Sequence, residues 1–329
     1  MKSLIPVGIS GTGHYVPERV LSNFDLEKMV DTSDEWIVQR TGIRERRIAA
    51  ANEASGDMGT QAARRCLENA RVRAEDVELI LCATTTPDQP FPATACHIAH
   101  NIGAVNAGGF DINSACSGFV FALNSAIQFV ASGTYRNVLV VGCEKLSTIL
   151  NWQDRTTCIL FGDGAGAAMV QPLAIAGRGE VLSTSMKVQG GNDEVLQVAA
   201  GGSRIPPTKD SVASNLHFMQ MGGNKIFKFA VRTLAELVET SCQPYGYEQL
   251  GIIIPHQVNL RIMEAAMERL QLEQRLAFSN IHKYGNTAAA SVPIALDEAI
   301  QAGACIPGKL VCMVAFGGGL SWGHTLLRW

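Results

Sequence analysis

Three features that would assign this chain to a large functional class are missing from its sequence. It lacks a surplus of positive charge, since 27 Lys and Arg residues accompany 30 Asp and Glu residues, so a nucleic-acid partner is not expected. It lacks an apolar run of bilayer length, because the most apolar segment, 117–131, is interrupted by polar residues. Its first residues also lack the apolar run of a signal peptide. We therefore expect a cytoplasmic protein that does not bind a membrane.

The cysteines lack a pattern as well. There are nine of them, none forms a C-x-x-C pair, and they are spread over the whole chain. This distribution argues against a disulfide framework and against a structural zinc site. We expect reduced thiols, most of them small buried apolar residues, and we predict neither a metal site nor a cofactor.

The apolar residues that are present follow the order of an α/β protein. Hydrophobic residues make up 47% of the 329 positions, which is enough for one large core or two fused cores. Continuous apolar runs predict strands that are buried on both faces, at 77–83, 137–141, 250–254 and 310–315. Helical patterns lie between the strands, at 58–70, 92–102, 117–132, 224–241, 259–270 and 287–301.

The two halves of the chain repeat one order of elements. In each half a strand leads through a helix to a second strand, then to an apolar helix, a third strand and a glycine cluster. The second strand is expected at 108–113 in the first half and near 276–282 in the second. We interpret this order as an internal duplication with its boundary near 172–180. It predicts an N-terminal half of residues 1–173 and a C-terminal half of residues 174–329, packed together as one unit.

Cys116 lies at the predicted junction between a strand and an apolar helix. Its neighbours on both sides are small, which leaves room for a substrate. The positive end of the following helix and its free N–H groups are expected to favour the thiolate and to lower the cysteine pKa below about 8.5. We interpret Cys116 as a nucleophile. A buried structural cysteine is the alternative, and it is our interpretation of most of the others.

His256 and Asn286 are the candidate partners of this nucleophile. His256 directly follows a buried strand and precedes a helix, and ligands bind at the ends of such strands. The other six histidines are interpreted as structural. Asn286 alone would be read as a helix cap. Because the duplication makes its helix the counterpart of the helix that Cys116 begins, we expect the two side chains to lie close together.

Two glycine clusters resemble nucleotide-binding loops but do not fit that function. The cluster at 162–167 matches a loose G-x-G-x-x-A pattern, yet a strand is predicted after it instead of a helix. Gly317, Gly318 and Gly319 are not followed by Lys-Ser or Lys-Thr. We expect these three glycines to let backbone N–H groups approach a bound group closely, as an oxyanion hole requires.

Several motifs in a fixed order resemble the β-ketoacyl-[acyl-carrier-protein] synthase III family of the thiolase superfamily. They are DTSDEWIVQRTGIRERRIA (31–49), DINSACSGF (111–119), FGDGAGAA (161–168), PHQVNLRI (255–262), YGNTAAASVPIALDEA (284–299) and FGGGLSWG (316–323). The resemblance covers nearly the whole chain. It implies an α/β thiolase fold, in which two similar βαβαβαββ halves pack as a five-layer αβαβα structure.

The resemblance also implies an activity and its catalytic residues. Enzymes of this family initiate fatty-acid synthesis by moving an acyl group from acyl-CoA to a cysteine and condensing it with malonyl-acyl-carrier protein as CO₂ leaves. Cys116, His256 and Asn286 would form the triad, and the N–H groups of Cys116 and Gly318 would form the oxyanion hole. The family works as a homodimer, uses no cofactor and takes acyl-CoA as substrate.

The binding residues are likewise implied by the resemblance. Thr32 and Glu35 match a T-x-x-E capping box, and the helix that they predict places Trp36 and Arg40 on one face. An indole beside a guanidinium suits adenine and phosphate, and the family adds stacking from an arginine, here Arg155. Asn259 would also bind the substrate. Phe91 resembles the residue that reaches across the dimer into the second acyl pocket.

A basic patch at the tunnel entrance would receive the carrier protein in this family. The matching residues are Lys225, Lys228, Arg261 and Arg269. Glu268 stands where a further cation is often found, which weakens the expected patch.

Four other functions are compatible with parts of the pattern. The order Cys, His, Asn also occurs in papain-like proteases, but their C-G-[SA]-C-[WY] signature is absent. A thiolase would carry a second cysteine where Ala315 stands. An inactive partner subunit would lack the nucleophile. An enzyme of secondary metabolism with another primer remains the closest alternative, because no motif determines the primer.

Overall fold

The structure is a computed structural model that describes residues 4–329, apart from the side chains of residue 193 and residues 223–225. Its strands are β1 (Val7–Tyr15), β2 (Val20–Ser22), β3 (Glu45–Arg47), β4 (Leu79–Ala83), β5 (Gly108–Ile112), β6 (Val138–Glu144), β7 (Gly164–Pro172), β8 (Glu180–Val188), β9 (Leu196–Val198), β10 (Met219–Met221), β11 (Leu250–Pro255), β12 (Leu310–Gly317) and β13 (Ser321–Arg328).

The helices alternate with the strands along the chain. They are α1 (Asn23–Leu26), α2 (Asp34–Thr41), α3 (Ser55–Ala70), α4 (Thr94–Ile102), α5 (Gly118–Ala131), α6 (Leu173–Ala176), α7 (Lys209–Ala213), α8 (Gly223–Cys242), α9 (Leu260–Leu270), α10 (Ile281–Tyr284) and α11 (Ser291–Gln301). Within residues 4–329, no helix combines the length and apolarity that crossing a bilayer requires.

Two sheets of equivalent topology form the frame of the molecule. The first has the strand order β1-β7-β6-β4-β5, and the second has the order β11-β12-β13-β8. In each sheet two neighbouring strands run parallel, β4 with β6 and β11 with β12, and an antiparallel strand follows them. The first sheet draws its strands from residues 7–172 and the second from residues 180–328. The division of the chain into two domains stays a prediction.

Helices separate and cover the two sheets, which gives the five layers. α5 and α11 lie between the sheets, and their apolar side chains form the central core with residues of both. α3 and α4 cover the outer face of the first sheet, and α8 covers the outer face of the second with α9 packed beside it. α5 is apolar on nearly all sides because it has a sheet on each side of it. The predicted α/β thiolase fold is confirmed.

The strand predicted near 276–282 is wrong. Ala277 makes a single parallel bridge to Ile253, in the position that β5 occupies in the first sheet. The Asn280 N–H then donates to the Gln257 side chain, and the chain turns into α10. A side chain thus takes the hydrogen bond that a neighbouring strand would have used, so the ladder stops after one pair.

The helix starts at the centre of the molecule also differ from the prediction. α5 begins at Gly118 and α11 at Ser291, and each is preceded by a single 3₁₀ turn, Ala115–Ser117 and Ala288–Ala290. Ala115 and Ala288 open these turns with φ of 45° and 43°, a conformation that an L-residue adopts only when its surroundings impose it. The two turns carry the candidate site.

Candidate active site

Cys116 lies in the middle of the first 3₁₀ turn, between the end of β5 and the start of α5. It is only 5% exposed, and it lines two cavities of the molecule. The Ser117 hydroxyl donates to the Ser114 carbonyl at 2.8 Å, which stabilises the turn.

The expectation of a lowered Cys116 pKa is wrong. Burial, and after it the negative charge of Glu144, raises the pKa of this thiol to about 12. Loss of water around the sulfur outweighs the positive end of α5. Cys116 is therefore a thiol in the resting protein, and its proton has to leave during any attack on a substrate.

Asn286 is held on three sides just before the second 3₁₀ turn. Its N–H donates to the Leu160 carbonyl at 2.8 Å, and its carbonyl accepts from Gly162 N at 3.0 Å. Its side-chain oxygen accepts from Ala288 N at 2.8 Å. This bond fixes the orientation of the amide, and its Nδ2 group has no partner among the described residues. The side chain therefore offers two N–H donors.

The structure matches the two 3₁₀ turns residue by residue, which the sequence alone did not. The partner of Asn286 in the first half is Asn113, whose side-chain oxygen points to Ala115 N at 3.5 Å just as that of Asn286 binds Ala288 N. Asn286 thus corresponds to a position three residues before Cys116. The residue at the Cys116 position of the second turn is Ala289.

His256 follows β11 and is buried as a neutral ring. Its Nδ1 lies 2.6 Å from the Ser291 hydroxyl, and Ser291 also accepts a long bond from Gln257 N at 3.4 Å. This arrangement leaves the serine proton for Nδ1 and favours the tautomer that carries its hydrogen on Nε2. The edge of the ring packs against Phe316, with 5.7 Å between centroids. Burial lowers the His256 pKa to about 3.

Ser291 and Phe316 are site residues that the sequence analysis did not identify. Ser291 lies 35 positions from His256, and neither residue type indicates a role by itself. The available signal was their place inside two quoted motifs, 284–299 and 316–323. Ser291 binds the His256 ring through a hydrogen bond, and Phe316 helps to bury it.

The glycine turn after β12 packs directly on the nucleophile. A Cβ atom on Gly317 would lie 2.7 Å from Cys116 N, so any side chain there would push the two segments apart. The Ser321 hydroxyl lies 2.7 Å from that of Ser117 and donates to the Gly318 carbonyl at 2.9 Å. These bonds fix Gly318 beside the nucleophile.

Two cavities meet at Cys116. The narrow one, about 40 Å³, is lined by Cys116, His256, Asn286 and Gly318 together with apolar side chains such as Phe229. The wide one, about 980 Å³, lies on the other side of Cys116 and Gly318 and is lined by Thr85, Asn113, Ile149 and Met219, among others. The structure therefore brings the three predicted catalytic side chains to one cavity.

Trp36, Arg40 and Arg155 form one stack on the surface. The guanidinium carbons of Arg155 and Arg40 lie 5.5 Å and 5.7 Å from the centroid of the indole. Arg155 also donates to the Asp31 carbonyl at 2.7 Å. A flat ring that stacks on the indole where Arg155 lies would have to displace that arginine from Trp36.

The predicted capping box of Thr32 and Glu35 is wrong. The helix begins one residue later, and its cap is Ser33, whose hydroxyl accepts from Trp36 N at 3.2 Å. The Thr32 hydroxyl is buried and has no partner in the described part of the chain. A substrate-binding role for Thr32 stays a prediction.

Asn259 and Phe91 lie at opposite ends of the site. Asn259 caps α9, with its oxygen accepting from Arg261 N at 3.0 Å and its Nδ2 donating to the Arg40 carbonyl at 3.0 Å. Its side chain therefore joins α9 to α2. Phe91 is 83% exposed, beyond the wall of the wide cavity.

The predicted docking patch is only partly cationic. Lys228, Arg261 and Arg269 are exposed on α8 and α9, and Arg261 lies over the Phe227 ring at 5.9 Å. Glu264 and Glu268 share the surface groove with Arg261. The side chain of Lys225 lies outside the described residues.

Known proteins are similar to this chain over nearly its whole length. The family model described as 3-Oxoacyl-[acyl-carrier-protein (ACP)] synthase III matches residues 110–190, and its C-terminal counterpart matches residues 243–329. A β-ketoacyl-[acyl-carrier-protein] synthase III of Caldanaerobacter subterraneus subsp. tengcongensis is 50% identical over 327 residues, which cover 99% of this chain and 98% of that protein.

Solved structures are similar to the same extent. The 3-oxoacyl-[acyl-carrier-protein] synthase III of Aquifex aeolicus is 46% identical with a TM-score of 0.90, over 98% of this chain and 100% of that one. The priming β-ketosynthase of the R1128 polyketide pathway is 35% identical with a TM-score of 0.90, over 99% and 97%. The chain belongs to the 3-oxoacyl-[acyl-carrier-protein] synthase III family.

Proposed function

We infer that the protein catalyses the initiating condensation of fatty-acid synthesis, with acyl-CoA and malonyl-acyl-carrier protein as substrates. One observation carries the assignment of the residues: Cys116, His256 and Asn286 line a single cavity with mostly apolar walls. A buried sulfur beside two hydrogen-bond donors suits a thioester that loses CO₂. The scheme needs no cofactor.

In the first half-reaction Cys116 accepts the acyl group. The sulfur attacks the thioester carbonyl, its proton leaves, and the carbon–sulfur bond to CoA breaks as CoA takes the electron pair. The thiol proton passes to the CoA sulfur, so CoA leaves as a thiol, and the neutral His256 ring keeps its hydrogen on Nε2 while Nδ1 accepts from the Ser291 hydroxyl. The raised pKa of Cys116 makes this proton transfer part of the step.

In the second half-reaction His256 and Asn286 bind the thioester oxygen of the malonyl group. The bond to the carboxylate breaks, CO₂ leaves, and the electron pair becomes an enolate. Nε2–H of His256 and Nδ2–H of Asn286 stabilise the charge on its oxygen, and each such donor is worth about 10²–10³ in rate. The carbanion then attacks the acyl carbon, the carbon–sulfur bond to Cys116 breaks, and the N–H groups of Cys116 and Gly318 hold the oxyanion.

The substrates would enter past Trp36. Trp36 and Arg155 are proposed to receive the adenine ring, while Arg40 provides charge for phosphate. Thr32 and Asn259 would lie beside this path. Lys228, Arg261 and Arg269 are proposed to receive the acidic carrier protein.

We propose that the protein is a homodimer. β5 is the edge strand of the first sheet, and its first three residues are exposed although its neighbour β4 is buried throughout. Exposed apolar side chains flank it, with Phe91 at 83% and Val105 at 80%. An edge of this kind pairs readily with a second copy, and Phe91 of one copy would then close the acyl cavity of the other.

Mass spectrometry of the protein incubated with a panel of acyl-CoA thioesters tests the function. We expect one acyl group on Cys116, with the highest yield for a short primer, and none on the Cys116→Ser variant. The matched control is Cys305→Ser, a buried cysteine far from the cavities, which should be acylated like the wild type. Acylation at another residue would contradict the proposed role of Cys116.

The same panel decides between primary and secondary metabolism. The polyketide priming enzyme shares the fold at 35% identity, so the fold is compatible with other primers. A clear preference for a long or aromatic primer over acetyl-CoA would favour a role in secondary metabolism.

A further inference from the structure

Glu144 is a buried carboxylate for which neither half-reaction has a role. It ends β6 with no exposed surface, and it forms no ion pair within the described residues. Its Oε2 accepts from the hydroxyl groups of Thr84, Thr85 and Thr86 at 3.3, 3.0 and 2.6 Å, and from the N–H groups of Thr85 and Thr86 at 3.1 Å each. Such a set of donors belongs to a carboxylate built into the structure.

One of the three threonines lines the wide cavity. All three follow directly on β4, and Thr85 lines that cavity together with Cys116. The segment continues into residues 87–90, which line the same cavity, and then to Phe91. Glu144 therefore fixes the start of the segment that bounds the space on one side of the nucleophile.

We propose that Glu144 is a positioning residue for the primer, and the proposal rests on the function proposed above. It holds Thr84–Thr86, and with them the place of Thr85 and of residues 87–90 on the wide cavity. A buried side chain thereby influences which primer fits.

Two variants test this positioning. Glu144→Gln keeps the shape of the side chain, but its amide nitrogen cannot accept hydrogen bonds from the threonines. Thr86→Val removes the shortest of these bonds, the one of 2.6 Å. The ratio of kcat/KM for a long and a short acyl-CoA reports the shape of the wide cavity.

We expect both variants to change the primer ratio by about fivefold or more, because the bonds that hold the segment after β4 are lost. His100→Gln, an exposed change in the same half, should not alter this ratio.

An unchanged primer ratio in Glu144→Gln would overturn the proposal. If Glu144→Gln does not fold, as judged by thermal denaturation, an unchanged primer ratio in Thr86→Val overturns it. Wild-type protein that takes no acyl group on Cys116 would instead contradict the proposed function.

Discussion

The equivalent strand ends of the two sheets have the same pairing pattern, but their side chains differ in type. The last paired residues of β4 and β6 are Ala83 and Gly142, and those of β11 and β12 are Pro255 and Val314. One residue after β4 is Thr84, and one residue after β11 is His256. Two residues after the last paired position of the neighbouring strand are Glu144 in β6 and Phe316 in β12. A threonine bound to a carboxylate thus corresponds to a histidine packed on a phenylalanine.

The difference shows that equivalent positions in the two halves of the chain have different roles. Phe316 contributes no charge, so burial keeps His256 neutral and its pKa near 3. Glu144 is held by threonine hydroxyl groups instead, and its charge raises the pKa of Cys116. The neutral donors of His256 and Asn286 suit an enolate oxygen, whereas Cys116 stays a thiol until its substrate binds.

Four measurements test this comparison between the two halves.

The largest effect is expected from His256→Ala. Decarboxylation of malonyl-acyl-carrier protein should fall by about 10²–10³, because a donor to the enolate oxygen is lost. Decarboxylation is measured as CO₂ release without primer. If the variant released CO₂ at the wild-type rate, the second half of the chain would not provide the enolate donors.

The next largest effect is expected from Asn286→Ala, and Asn113→Ala is its matched control. Asn286→Ala should reduce decarboxylation by about 10², since the amide that faces the narrow cavity is removed. Asn113→Ala, at the equivalent position of the first half, should reduce it by less than about fivefold. Equal losses in the two variants would show that the division between the halves is not functional.

A third measurement uses the pH dependence of stability. Burial lowers the pKa of His324 to about 4, whereas it is about 6.5 in an unfolded chain, so the unfolded state binds more protons between these values. The stabilisation is complete above pH 6.5 and is lost as the pH falls toward 4. The wild type should therefore lose about 2 kcal/mol more unfolding free energy from pH 7 to 5 than His324→Gln. Urea denaturation at both pH values measures it.

The exposed His100→Gln variant is the control, and it should follow the wild type. The contribution of Glu144, in the first half, depends on pH in the opposite direction. Burial raises its pKa to about 7, so its contribution to stability is complete below about pH 4.5 and is lost as the pH rises through 7. Equal pH slopes for the wild type and His324→Gln would show that this histidine is charged in the folded protein.

The smallest effect is expected from Ser291→Ala. The variant loses the 2.6 Å bond to His256 Nδ1, which favours the tautomer with hydrogen on Nε2. Decarboxylation should fall by about tenfold, and Ser291→Thr should recover most of it because it keeps the hydroxyl. A loss that Ser291→Thr does not recover would indicate packing instead of the hydrogen bond.

Much of the site followed from local patterns, and the errors arose where other groups competed with those patterns. The buried strands and the apolar helix after Cys116 depend on segments that are continuous in sequence. The Thr32 cap and the strand near 276–282 failed because a neighbouring hydroxyl and a distant side chain took the hydrogen bonds instead. The pKa of Cys116 failed because burial depends on the packing of both halves.

The sequence by itself determined the α/β order, the repetition of its elements and the three residue types that could perform the chemistry. Only the tertiary structure decided their states, because charge and protonation depend on which groups are packed together from distant parts of the chain. Ser291 makes His256 a donor, Leu160 and Gly162 fix Asn286, and Glu144 acts on Cys116. None of these pairs is adjacent in sequence, so no local pattern contains them.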